Sequence, residues 1–135
     1  MKFNIPKIVK SLEMSEYDEA MDGLALQIWV NPSRHIHSEY WTYQTELVNM
    51  TGKLGKLVKK PDAKKTIALD KRIDKCNQKV YAWFARLWSQ SEDQDTHVSV
   101  EEIEAMAEED PAIWRFMINR TMKLIRDHQE NIRKN

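Results

Sequence analysis

Two runs of apolar residues recur with the spacing of helices that pack side by side, and they constrain this chain more than any other feature. The first run advances by four and three residues in turn, at Ile36, Tyr40, Tyr43, Leu47, Met50, Leu54 and Leu57. The second run has the same spacing at Leu69, Ile73, Cys76, Val80, Trp83 and Leu87. Such seams are typical of helices packed along one face. A short basic segment separates the two runs, so residues 33–90 are predicted to form an antiparallel helical hairpin.

The first 32 residues follow a different period. Large aliphatic residues occupy every second position at Leu24, Leu26, Ile28 and Val30, which is a strand pattern that Asn31-Pro32 ends. A weaker alternation through Leu12 and Met14 predicts a partner strand, and the polar residues 15–23 connect the two. Residues 1–32 are therefore predicted to form a β-hairpin. Because an isolated hairpin is marginal in water, it must pack on the helices or on another copy.

Two helix starts follow the acidic residues 91–96, which are predicted to be a loop. Ser99 and Glu102 form an S-x-x-E capping box, and Asp110-Pro111 supplies a capping carboxylate and a proline at the first helical position. Residues 98–132 are thus predicted to form a short helix and a long one. The predicted fold class is mainly α (α+β). In it, a single domain, 1–135, has its N-terminal β-hairpin packed on the antiparallel helical hairpin, followed by the two C-terminal helices.

The composition excludes several classes of protein. No run of 18 apolar residues exists, so no membrane span is expected, and the first residues lack the apolar core of a secretory signal. The single cysteine, Cys76, falls on a helical seam, where a small buried hydrophobe is expected rather than a nucleophile. His35 and His37 lie two residues apart and would not share a helix face. We expect no catalytic residue, no metal site, no cofactor and a cytoplasmic location.

Charge is unevenly distributed along a chain whose net charge is zero. Residues 53–79 carry ten basic and three acidic groups, and residues 92–110 carry nine acidic groups and no lysine or arginine. The candidate residues for self-association are Lys56, Lys59, Lys60, Lys64 and Lys65 in the basic block and Glu101, Glu102, Glu104, Glu108 and Glu109 in the acidic block. Opposed blocks can meet inside one molecule or between copies, and the alternative is that they are simply solvated helix faces.

Tryptophan is the other notable residue, with five in the chain. Tryptophans anchor many protein interfaces, so Trp29, Trp41, Trp83 and Trp88 are candidate binding residues; the alternative is that they form one end of the core. Trp83 lies on the second seam and is predicted to be buried. Trp29 lies on the strand face opposite Leu24, Leu26, Ile28 and Val30, and it is predicted to be largely exposed.

The order of several short segments resembles the tail assembly chaperone family of long-tailed (siphovirus-type) phages and prophages. These segments are residues 11–18, 28–32 and 83–89, the pairs Glu101-Glu102 and Asp110-Pro111, residues 127–129, and the terminal Arg133-Lys134-Asn135. The resemblance implies a non-enzymatic protein that binds the tape-measure protein while the tail is assembled in a bacterial cytoplasm.

Three functions remain open at this point. The favoured one is the chaperone, in which a helical protein with an aromatic groove covers the apolar stripe of a long helix. The alternative is a small structural or adaptor protein of a virion. A nucleic-acid-binding helical protein, using the basic block from Lys53 to Lys79, is less expected, because such proteins usually have a basic excess overall.

Overall fold

The computed structural model describes residues 5–90 and 97–134, so the predicted loop 91–96 lies outside the described residues. The described chain is mainly helical with one three-stranded antiparallel sheet, which confirms the predicted fold class. The elements are β1 (Val9–Glu13), β2 (Ala25–Trp29), α1 (Arg34–Lys56), α2 (Ala63–Leu87), β3 (Trp88–Ser89), α3 (Val100–Glu109) and α4 (Pro111–Lys134).

The chain divides into two compact units. Met1–Pro32 and Phe84–Asn135 form one, which we call the sheet unit, and Ser33–Trp83 form the other, the hairpin unit. Helix α2 continues from the hairpin unit into the sheet unit, because its last four residues belong to the latter. A single domain over 1–135 stays a prediction.

The predicted β-hairpin is present, and a third strand extends it. β1 pairs with β2 in antiparallel register, with Leu12 opposite Leu26, and β3 pairs with the other edge of β2, with Trp88 opposite Ile28. The sequence pattern placed Trp88 at the end of the helical hairpin, whereas α2 ends at Leu87. Two residues are too few to show a strand period, so β3 could not be distinguished from the last turn of the helix.

The hairpin unit contains the two helices that the apolar seams predicted. Met50, Leu69 and Cys76 form its buried core cluster, and five partly buried seam residues pack against it, namely Tyr43, Leu47, Leu54, Leu57 and Ile73. The Trp83 indole donates a hydrogen bond of 2.7 Å to the carbonyl of Ile36. The start of α1 therefore lies beside a late turn of α2, and this contact confirms the antiparallel pairing.

In the sheet unit, both predicted helix starts are present. The Ser99 hydroxyl accepts from the Glu102 amide at 3.1 Å, and the Asp110 carboxylate accepts from the Ile113 amide at 3.2 Å, one turn into α4. α3 packs against α4, and α4 packs against β1. Met117, Thr121 and Ile125 of α4 are buried and lie on one face of the helix, which packs into the sheet unit. The helix continues to Lys134, beyond the predicted end at 132.

Candidate partner-binding groove

The sheet unit contains an apolar groove of about 600 Å³, formed by the sheet, the β1–β2 connection and helices α3 and α4. Its floor consists of buried side chains, namely Met14, Trp88, Ile103 and Met117. Its walls are partly exposed and consist mainly of Met21, Leu26, Val98, Met106 and Ile113. Leu24 lies at the mouth and is 58% exposed. The groove therefore offers water-accessible apolar surface that the sheet unit leaves uncovered.

Methionine dominates this lining. Four of the seven methionines in the chain line it, at Met14, Met21, Met106 and Met117. A thioether chain is unbranched and polarisable, so it adapts to apolar surfaces of different shape, and methionines are frequent on surfaces that bind several partners. The groove is therefore suited to bind apolar surfaces of different shapes.

The β1–β2 connection holds one side of the groove through local hydrogen bonds. The Met14 amide donates to the Leu24 carbonyl at 3.0 Å, and the Leu24 amide donates to the Met21 carbonyl at 3.1 Å. Gly23, between them, has a φ of +87°. A side chain is strained in that left-handed region, so glycine is the residue that closes this turn. The turn brings Met14, Met21 and Leu24 to the same side of the sheet unit.

Helix α3 forms the opposite wall, and its capping fixes where the wall begins. The Ser99 amide donates to the Glu102 carboxylate at 3.3 Å, which completes the capping box. Ile103 and Met106 lie three residues apart and therefore share a helix face, which is the face that lines the groove. The capping box fixes the residue at which α3 begins, and the helical period then places Ile103 and Met106 on the side of the groove.

The surroundings of the groove are acidic. Among the described lining residues, Glu102 is the single charged side chain. Glu19 and Asp22, both exposed, belong to the β1–β2 connection. Arg120 lies 2.8 Å from the Glu16 carboxylate in an ion pair, so its positive charge is already balanced. A partner that enters the groove with its apolar side meets negative charge around it, and basic flanking residues would complement that charge.

The prediction that Trp29 is largely exposed is wrong, because the residue is partly buried. Its indole nitrogen is shielded from solvent and has no hydrogen-bond partner among the described residues. The Lys7 ammonium lies 4.6 Å from the centre of its ring. The Asn31 side chain holds the segment before β1 in place, accepting from the Ile8 amide at 2.7 Å and donating to the Pro6 carbonyl at 3.0 Å. A strand pattern cannot show this cover, because it comes from residues outside the strand.

The other three candidate tryptophans lie in different environments. Trp83 is 1% exposed, which confirms its predicted burial, and Trp88 is fully buried, so neither can anchor a surface contact. Trp88 contributes instead to the floor of the groove. Trp41, on α1, is 55% exposed and stacks edge-on against Tyr40 with ring centres 5.1 Å apart. Of the four candidates, Trp41 is the one with a largely free indole.

The residues of the two charge blocks are on the surface. In the basic block, the candidate lysines are all exposed; they are Lys56, Lys59, Lys60, Lys64 and Lys65. In the acidic block, Glu101, Glu102, Glu108 and Glu109 are exposed and Glu104 is partly buried. The lysines lie at the end of α1, in the turn, and at the start of α2, so the helical hairpin has a basic tip.

Cys76 is in an environment that keeps its thiol protonated. Burial raises the pKa of this thiol, and the Glu46 carboxylate raises it further by its charge and its hydrogen bond, whereas Lys79 lowers it. The sulfur donates to the Tyr43 carbonyl at 3.5 Å. Because the thiolate is the nucleophile, this arrangement disfavours reactivity. Among residues 5–90 and 97–134, no group of three or more His, Cys, Asp or Glu could hold a metal ion.

The groove itself was not predicted from the sequence, which directed attention to tryptophan. Its lining comes from five separate segments, and the methionines that mark it lie as far apart as Met14 and Met117. The sequence did contain one signal, because Met14, Met21 and Leu24 are large apolar residues in or beside a polar connection. An exposed connection does not by itself bury such side chains, so they indicate a further apolar surface. That signal identifies one wall but cannot identify the surface it faces.

The described helices include none long and apolar enough to span a membrane. No family model, curated protein or solved structure matches this chain.

Proposed function

We propose that this chain is a non-enzymatic tail assembly chaperone of a phage or prophage, which acts in the cytoplasm of the bacterial host. It covers the apolar stripe of a helical tail protein of the tape-measure class until the tail is built around that protein. The observation that supports the proposal most directly is the methionine-rich groove of the sheet unit.

The lining of the groove suits the apolar face of a helix better than a compact small molecule. Its volume lies within the range of ligand pockets, but such pockets hold several convergent polar groups that orient the ligand. Apart from backbone groups, Glu102 and Gln90 are the polar side chains in the described lining. Helix-in-groove recognition needs mainly an apolar trough, into which residues at i, i+3, i+4 and i+7 insert.

The groove also suits a partner with many similar segments. A long helical protein presents an apolar stripe whose side chains differ from turn to turn, so a rigid pocket would fit few of them. Methionine side chains re-pack around different shapes at little cost. The acidic surroundings add a preference for segments with lysine or arginine beside the stripe, since rim charges steer association more than they tighten it.

A synthetic peptide tests the recognition mode without the natural partner. We expect a 20-residue helix with leucines at i, i+3, i+4 and i+7 and lysines elsewhere to bind the unmodified protein, as measured by fluorescence anisotropy. A peptide of the same composition with the leucines scrambled should bind at least about tenfold more weakly, because its leucines no longer form one stripe. Equal binding of the two peptides would contradict helix-in-groove recognition.

A pair of variants matched for exposure locates the site. Leu24→Glu places a charge at the mouth of the groove, where Leu24 is 58% exposed. Ile132→Glu places the same charge at a residue of α4 that is 60% exposed and does not line the groove. We expect at least a tenfold loss of peptide affinity for the first variant, since burying an unpaired carboxylate is costly, and less than a twofold change for the second.

The assignment to tail assembly is tested with the tail protein encoded beside this gene. Fragments of that protein with an apolar helical stripe should be captured by the unmodified chain and by Ile132→Glu, but not by Leu24→Glu. If no fragment is captured although the striped peptide binds, the groove still binds helices but the tape-measure protein is not its partner.

A further inference from the structure

A second apolar groove lies at the basic tip of the helical hairpin, and the structure leaves it open. It measures about 430 Å³ and lies between the end of α1 and the start of α2. Leu57 and Leu69 form its apolar floor, and its rim is basic, with Lys53, Lys56, Lys65 and Arg72. No acidic residue lines it in the described chain. The groove therefore combines an apolar floor with four positively charged side chains on its rim.

A carboxylate of the same unit lies near part of this rim, since Glu46 lines an adjacent pocket together with Lys53 and Arg72. The hairpin unit contains carboxylates at Glu39, Glu46, Asp62, Asp70 and Asp74, yet within the residues of this unit the rim lysines and Arg72 form no ion pair. Asp62 is engaged elsewhere, because it caps α2 by accepting from the Lys65 amide at 3.1 Å. Like charges this close repel one another, so an anionic helix in the groove would relieve that repulsion.

Helix α3 carries a surface of complementary chemistry. Glu101, Glu104 and Glu108 follow one another at i, i+3 and i+7, so they form one ridge along the helix. Ala105, which is exposed, lies on the same side and is small enough to allow close approach. The groove-lining Ile103 and Met106 lie on the opposite side of α3. The acidic ridge is thus free of the contacts that line the methionine-rich groove.

The spacing of charges on the two surfaces matches. Lys65 and Arg72 are seven residues apart on α2, and Glu101 and Glu108 are seven residues apart on α3. With a rise of 1.5 Å per residue, both pairs are separated by about 10.5 Å along their helices. A helix laid along the hairpin tip can therefore place both glutamates opposite both basic residues, with Ala105 above the apolar floor.

We propose that the basic tip of one copy binds the acidic ridge of α3 in a second copy. The interface is heterologous, because the two surfaces lie on different parts of the chain, so each copy leaves one tip and one ridge free for the next. The proposal does not depend on the tape-measure partner, since the ridge and the methionine-rich groove use opposite faces of α3.

A charge-exchange experiment tests the contact directly. The tip variant combines Lys65→Glu with Arg72→Glu, and the ridge variant combines Glu101→Lys with Glu108→Lys. Sedimentation velocity of the unmodified protein at about 50 mM salt should show association that increases with concentration and weakens at about 0.5 M salt, where charges are screened. Each variant alone should associate at least about tenfold more weakly, because like charges then meet at the interface.

Mixing the two variants supplies the decisive outcome. In the mixture, the acidic tip of one variant meets the basic ridge of the other, so association should return to within about threefold of the unmodified protein. A control variant, Lys10→Glu with Lys123→Glu, changes two exposed lysines outside both surfaces and alters the net charge as much as the tip variant does. This control should associate as the unmodified protein does, and circular dichroism should show that all variants retain their helices.

Three results would overturn the proposal. The first is a monomer at every concentration in low salt. The second is association that the tip and ridge variants retain. The third is that copies do not associate, while the unmodified protein binds a single-stranded oligonucleotide at about 0.15 M salt and the tip variant does not. The basic groove would then be a nucleic-acid surface.

Discussion

At the scale of single residues, the pair Trp88 and Thr121 shows how the sheet unit accommodates a polar atom in its core. Both side chains are fully buried, and the indole N–H of Trp88 donates to the Thr121 hydroxyl at 3.0 Å. The Trp88 ring also packs against Phe84 and Trp114, with ring centres 5.1 and 6.0 Å away. A buried N–H without a partner is costly, so the threonine on α4 is what allows a tryptophan at this point of the floor.

Thr121→Val should therefore destabilise the protein although it preserves the shape of the side chain. We expect a loss of about 1–3 kcal/mol in the free energy of unfolding, because the Trp88 N–H is left buried and unsatisfied. Urea unfolding followed by circular dichroism measures it. In a Trp88→Phe background, the same substitution should cost much less, and an equal cost in both backgrounds would mean that the hydrogen bond contributes little.

At the scale of elements, two glycines occupy opposite situations. Gly52 lies within helix α1, and a Cβ built there would meet nothing within 4 Å. Gly23 also has open space around it, but its φ of +87° belongs to the left-handed region. Space alone is therefore not the criterion: the backbone conformation decides which glycine is needed.

Substitution by alanine should change the free energy of unfolding in opposite directions at the two positions. Gly52→Ala should stabilise the protein by about 0.5–1 kcal/mol, since alanine favours helix and restricts the unfolded chain. Gly23→Ala should destabilise it by about 1 kcal/mol or more, because alanine is strained at positive φ. Thermal and urea unfolding of the two variants test this directly, and stabilisation by both would show that the turn tolerates a side chain.

At the scale of the whole molecule, the charges cancel in sum but not in position. The net charge is zero at pH 7 and the isoelectric point is near 6.9, while the basic block and the acidic block are far from neutral. A chain with no net charge has little general repulsion between copies. Nothing of that kind therefore counteracts the attraction between the basic block of one copy and the acidic block of another.

Solubility should accordingly rise with salt near neutral pH. At about 20 mM ionic strength we expect the lowest solubility near pH 7, and an increase as sodium chloride is raised to about 0.3 M, because the Debye length then falls below about 10 Å. Static light scattering measures the same change as a rise in the second virial coefficient. A coefficient that falls steadily from the lowest salt would instead indicate association through apolar surface, which salt does not weaken.

The sequence by itself determined the elements whose periods run over many residues and the caps that begin them. The two seams predicted α1 and α2, the alternation through Ile28 predicted β2, and the capping box at Ser99 predicted the start of α3, because each depends on residues close in the chain. The basic and acidic surfaces were predictable for the same reason, since charged residues in a long run are rarely buried.

Only the tertiary structure decided which apolar residues face solvent and which surfaces meet. Trp29 is covered by Lys7 from outside its strand, and Trp88 follows the end of α2 and forms β3. Leu24 remains exposed although Ile28 and Val30, which continue the same alternation, are buried. The methionine-rich groove joins residues about a hundred positions apart, from Met14 to Met117. Local patterns report which face of an element is apolar, but burial depends on what other segments bring to that face, and that information lies in long-range packing.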